Sequence, residues 1–135
     1  MKKSTLTNIN HIKRILKEIK IINDAMNQFE IIDINEFEKS NLAQRVFTQC
    51  ITTIEMTKRL LSDDVKNNIK KFNRIKLAKT RNIASHDYDN VDMDIVYEIS
   101  IRLIDENILS ELENEIKHLE ELQKKEEEEK KQCNQ

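Results

Sequence analysis

A chain of 135 residues suffices for one domain around a single core. Gly and Pro are both absent, where average usage would supply about sixteen. The hairpin turns and bulges of strand-rich folds therefore lack their usual residues, and turning falls to Asn, Asp and Ser. Charged residues make up 36% of the chain, yet the formal net charge is −2, so the molecule is not globally basic and any basic site must be local.

Thr7 is a candidate cap for a first helix, whose apolar stripe is Ile9, Ile12, Leu16, Ile19, Ile22, Met26 and Phe29. His11 falls off that stripe and is expected to be exposed. Ile31-Ile32-Asp33-Ile34-Asn35 is β-branched but has no partner strand, so it reads as a connector, with one helical turn over Glu36 to Lys39. Ser40 caps a second helix lined by Leu42, Val46, Cys50, Ile54, Thr57 and Leu61, on which Glu55 could face either a partner helix or solvent.

Ser62-Asp63-Asp64 starts a third helix, with acids in the first turn where the helix dipole favours them. It is expected to run from Asp63 to Ser85 with a break near Phe72. Val65, Ile69, Phe72, Ile75, Ala78, Asn82 and His86 recur at steps of three and four and would share one face. That stripe is apolar up to Ala78 and ends in an amide and an imidazole, the kind of break in patterning that accompanies functional sites.

Asp92 caps a fourth helix with the stripe Ile95, Ile99 and Leu103, which Glu106 could extend. The register slips around Asp105-Glu106-Asn107, and a last helix carries Leu109, Leu112, Ile116, Leu119 and Leu122, with His118 off the seam and exposed. Residues 123–135 are charged or amide-rich apart from Cys133, a solvated helix extension or a disordered tail that could compete with RNA for a basic site. The sequence thus specifies an all-α protein, an up-and-down bundle of four to five helices over residues 1–122 with a charged extension over 123–135. Cys50 and Cys133 read as free thiols of a reducing compartment. No apolar run reaches the length of a signal peptide or membrane span, so a soluble cytoplasmic protein is expected.

The chemistry concentrates in Arg81-Asn82-Ile83-Ala84-Ser85-His86-Asp87-Tyr88. On a continuous helix Arg81 and His86 would diverge by roughly 140°. Either the helix ends near Ser85 and re-aims His86, or the pair acts with its copy in a second chain. Arginine binds two phosphate oxygens with a planar fork. Histidine exchanges protons near neutrality, and Asn82 could fix the ring of His86 or bind a phosphate oxygen. One chain supplies one histidine here, so acid and base together would need two copies of His86. The basic run from Lys58 to Arg81, with Arg74, Lys76 and Lys79 nearest the motif, suits an approach surface for a phosphate backbone. Asp87, Asp89, Asp92 and Asp94 lack the glycine and spacing of a calcium loop, and no metal or cofactor is implied.

This pattern, Arg81-Asn82 followed by His86 and Tyr88 and then by Val91-Asp92, resembles the signature of HEPN domains, and within them the HepT toxins of HepT–MntA toxin–antitoxin pairs. The resemblance covers residues 40–120. It implies a homodimeric ribonuclease whose shared cleft holds the arginine–histidine pair of each chain. It further implies that Tyr88 receives AMP groups from an MntA-like nucleotidyltransferase antitoxin, which silences the toxin. The other reading of the residues is a non-catalytic helical module that binds a nucleotide or partners a nucleotidyltransferase. In that reading Arg81 grips a phosphate and His86 closes the helix.

Overall fold

The computed structural model describes residues 5–80 and 92–133, with the side chains of Lys79 and Thr80 outside the description. Every regular element among the described residues is helical. Four long helices carry the architecture: α1 (Thr5–Gln28), α3 (Asn41–Arg59), α6 (Met93–Leu103) and α7 (Glu106–Cys133). Between them lie three helices of six residues or fewer, α2 (Ile34–Lys39), α4 (Asp63–Asn68) and α5 (Lys70–Asn73), and a 3-10 turn at Leu77–Thr80. The expected four to five helices become seven among the described residues, because the connectors are helical and the expected third helix is broken into pieces.

α1 is, with α3, one of the two most extensively packed helices of the bundle. It packs against both α3 and α7, and hydrogen bonds at its start show that it runs antiparallel to each. Asn8 donates through Nδ2 to Ser62 Oγ and accepts from the Ser62 amide, both at 3.2 Å, just past the end of α3. Thr5 Oγ1 donates to the Glu126 carboxylate at 3.1 Å, near the end of α7. A helix covered on two sides needs a wide apolar face. Ile15 and Ala25 accordingly join Ile9, Ile12, Ile19, Ile22 and Met26 in the core, while Leu16 and Phe29 of the expected stripe are half-buried. The helix is under way by Thr5, ahead of Thr7.

α1 ends without a glycine. Glu30 takes φ 54°, in the left-handed region. Its amide donates to Asn27 O at 3.3 Å, and the Ile31 amide donates to Met26 O at 2.9 Å. These are the two bonds of a Schellman cap, and the accompanying apolar contact positions, Met26 and Ile31, are both buried. Asp33 then caps α2 by accepting from the Glu36 amide at 3.0 Å. Ser40 caps α3 by accepting from Ala43 at 3.1 Å, at the position the sequence predicts. α2 delivers Phe37 to the core, its ring 5.1 Å from Phe47 and 5.4 Å from Tyr97.

The register of α3 differs from expectation. Ala43, Phe47, Cys50, Ile51 and Ile54 are buried, Val46 is half-buried and Leu42 is 59% exposed. Phe47 is the largest side chain of that turn, and its stacking on Phe37 turns the helix so that Leu42 faces outward. Glu55 is buried on the inner side, 3.8 Å from the guanidinium of Arg59 one turn on.

The break in the third expected helix has a visible cause. Ile69 leaves helical geometry at φ −117°, ψ 58°. The Glu111 carboxylate of α7 then accepts from the amides of Lys71 at 3.0 Å and Phe72 at 2.9 Å. An acid from another helix thereby satisfies two donors that a fresh helix start exposes. Val65, Ile69, Phe72 and Ile75 all stay buried as the spacing demands. Beyond them the tighter 3-10 turn shifts the register, so that Leu77 is buried and Ala78 is exposed.

Asp92 caps α6, accepting from the Asp94 amide at 3.0 Å. α6 buries Val96, Ile99, Ser100 and Leu103, leaving Ile95 half-buried. Asp105 starts α7 by accepting from Asn107 at 2.7 Å, at the slip in register the sequence shows. Ile108, Leu112, Ile116 and Leu119 bury one face of α7, and Leu109 and Leu122 are half-buried. The helix continues through the charged residues to Cys133. No described helix is long and apolar enough to cross a membrane.

Candidate functional site

Arg81, Asn82, His86 and Tyr88 lie outside the described residues, as does the side chain of Lys79. What the structure gives is the frame on either side. The 3-10 turn Leu77–Thr80 ends immediately before Arg81, and α6 begins at Met93. These two flanks pack against each other, and both pack against α3. Leu77 and Val96, one from each flank, are buried in the same core.

Beside this frame the expected basic run divides into parts that face different ways. Arg74 and Lys76 are exposed and line a shallow hollow of about 230 Å³ between the α5 end and α6, with Arg102 and Glu98 on its far wall. Arg74 and Arg102 also line an adjoining hollow with Lys71. The carboxylate of Glu98 holds Arg102 at 3.1 Å, one turn apart on α6 and both exposed. Four cations therefore gather within a few side-chain lengths of the flanks, partly offset by Glu98 and Asp105. Such a surface favours a phosphate backbone through screened, long-range attraction.

Lys58 and Arg59 do not belong to it. Lys58 turns inward, and its ammonium lies 5.4 Å from the centroid of the Phe72 ring. Burial, with a smaller contribution from Lys66, lowers its pKa below the ordinary lysine value, against an opposing pull from Glu55. Arg59 points away into a groove between α1 and α3.

The spacing of the sequence did not single out Arg102 or that groove. Arg102 lies four residues after Glu98, an i,i+4 pair that is legible but unremarkable by itself. The groove draws on Lys13, Arg14 and Lys17 of α1, which recur at helical steps opposite the isoleucine stripe and read as an ordinary solvated face. His11 is half-buried at its edge, in place of the exposed position expected, and His118 is exposed. Both cysteines are free. The Cys50 thiol is pushed up to about 12 by burial and then by the nearby Glu18 charge, which keeps it a protonated, unreactive core side chain.

No family model, curated protein or solved structure matches this chain.

Proposed function

We propose that the chain is a homodimeric, metal-independent ribonuclease toxin of the HepT type. The observation that carries the reading is the joint spacing of Arg81, Asn82, His86 and Tyr88 in a chain whose described elements are all helical. Support comes from the cationic hollow of Arg74, Lys76 and Arg102 beside the flanks of that stretch, since RNA needs a local basic approach on a molecule of net charge −2.

The chemistry is a transesterification. One His86 takes the proton of the substrate's 2′-hydroxyl, whose oxygen attacks phosphorus. The bond to the 5′-oxygen breaks, and the His86 of the second copy protonates the leaving oxygen. The products are a 2′,3′-cyclic phosphate and a 5′-hydroxyl end. Arg81 neutralises the charge that builds on the phosphoryl oxygens, and Asn82 holds the ring of His86 or a phosphate oxygen. An AMP group on Tyr88, attached by an MntA-like nucleotidyltransferase, adds negative charge two residues from His86 and repels the substrate.

The test is RNA degradation by the purified protein in EDTA, alongside His86→Ala and Arg81→Ala. Loss of cleavage in both variants, with the dimer retained by sedimentation, supports the reading. Cleavage by either variant at the parental rate removes the assigned roles. If the parent binds nucleotide and yields no RNA products, the non-catalytic module is the better account.

A further inference from the structure

A second large concavity of the described residues lies away from the frame of the motif. It is an open groove of about 1070 Å³ between the antiparallel helices α1 and α3. Its α1 wall carries Lys13, Arg14 and Lys17, and the end of its α3 wall carries Arg59. No carboxylate lines it among the described residues, although the chain as a whole has two more acids than bases. Its floor is apolar: Met56 is 58% exposed and Leu60 52% exposed. These belong to a longer stripe on the outward side of α3, with Leu42, Val46, Gln49 and Thr53 leading to them at alternating steps of four and three. That is the spacing of a helix seam, and from Leu42 to Leu60 it extends for about 27 Å at 1.5 Å per residue.

We infer that this groove docks an amphipathic helix of another protein, one with leucine-like residues along a single face and acidic residues flanking them. The α3 side of the groove, from Gln49 to Leu60, corresponds to about three turns of such a helix, with Leu42 and Val46 extending the row beyond it, and the groove is too large and too open to enclose a small ligand. Met56 and Leu60, beyond the polar Gln49 and Thr53 of the same row, receive the partner's anchors in the helix-in-groove mode, while the cationic walls meet its acids. The same walls argue against a second copy of this chain. Groove-to-groove pairing of two copies would bring two such cationic walls together, with no acid among the described lining residues to relieve them. The floor argues against single-stranded RNA, whose bases stack on aromatic rings, because among the described residues no Phe, Tyr or Trp lines the groove and only the half-buried imidazole of His11 stands at its edge. The inference stands independently of the nuclease reading, whose residues lie elsewhere in the chain.

The probe is a fluorescent synthetic peptide of about 18 residues, with leucine on one heptad face and glutamate on the rest, added to the full-length protein and followed by anisotropy. Binding is expected, weakened at least tenfold by Lys17→Glu and, separately, by Met56→Lys. Both substitutions are at exposed positions, and circular dichroism checks that the helices persist. Equal binding of a shuffled peptide of the same composition overturns the proposal, since charge alone then explains the attraction. So does an oligouridylate that displaces the peptide and loses affinity in the same two variants, which makes the groove a nucleic-acid site. Conversion of a dimer to a monomer by Met56→Lys in sedimentation also overturns it, because a second copy then covers the seam.

Discussion

The ammonium of Lys58 on α3 lies 5.4 Å from the centre of the Phe72 ring on α5, so the long helix and the broken segment meet through a half-buried cation over an aromatic face. Partial burial, the first cause, and Lys66 together lower the Lys58 pKa. A lysine whose folded pKa lies below its unfolded value costs stability while it is charged in both states. The cost is relieved as pH rises through the folded pKa toward the unfolded value of about 10.4. Stability from this residue is therefore expected to rise with pH on the alkaline side. Lys58→Met should remove that part of the slope and leave the urea midpoint at neutral pH unchanged or higher. A fall of the neutral-pH midpoint in Lys58→Met, with the alkaline slope intact, would mean that the contact with Phe72 outweighs the burial of charge.

Glu111 fixes the break between α4 and α5 by accepting from two backbone amides. Glu111→Leu leaves both donors without that partner; the Lys71 amide is exposed and can turn to water while the Phe72 amide is part-buried, so a loss of about 1 kcal/mol is expected. Urea unfolding reads this directly. Glu111→Gln keeps one acceptor oxygen and should recover part of the loss. If Leu and Gln are equally mild, water is replacing the carboxylate and the break is fixed elsewhere.

Glu30 sits at φ 54°, where a side chain crowds the following carbonyl. Glu30→Gly is expected to stabilise the protein by up to about 1 kcal/mol, the relief of left-handed strain less the extra freedom glycine gives the unfolded chain. A thermal melt that moves down would show that the glutamate side chain contributes more than its backbone costs.

Arg74 and Lys76 line the hollow next to the motif flanks. If RNA crosses it, Arg74→Gln and Lys76→Gln should each weaken binding and reduce the slope of log K against log salt by roughly 0.7, the value for one phosphate contact on a single strand. Cleavage chemistry at saturating RNA should be unchanged. An unaltered salt slope in the double variant would remove this surface from the RNA path.

The helical class, the caps at Ser40 and Asp92, and the break before α7 were legible because each depends on a few adjacent residues. The face of α3 was not. Leu42 and Phe47 both fit an apolar stripe, and the choice was made by Phe37, which comes from a separate helix and stacks on Phe47. The fracture of the expected third helix was only half visible. Ile69, Phe72 and Ile75 kept their inward positions, but the acceptor that made the break tolerable, Glu111, lies 40 residues from Lys71 in the chain. The motif itself was read from spacing alone, and the structure contributes its flanks and the neighbouring cations Arg74, Lys76 and Arg102. The α1–α3 groove escaped notice because Lys13, Arg14 and Lys17 look like any solvated helix face until α3 is laid beside them.

The position of α1 between α3 and α7 has a bearing on how the protein is made. Among the described helices it is the first to be synthesised, yet the helix that covers one of its two sides, α7, is the last. α3 is available to cover one side of α1 early, but the side that faces α7 waits uncovered while most of the chain emerges from the ribosome, and the core closes only after translation has passed residue 106. A nascent chain stalled before that point holds an α1–α3 pair with one apolar side of α1 still open, which makes chaperone capture an expected fate of its early intermediates.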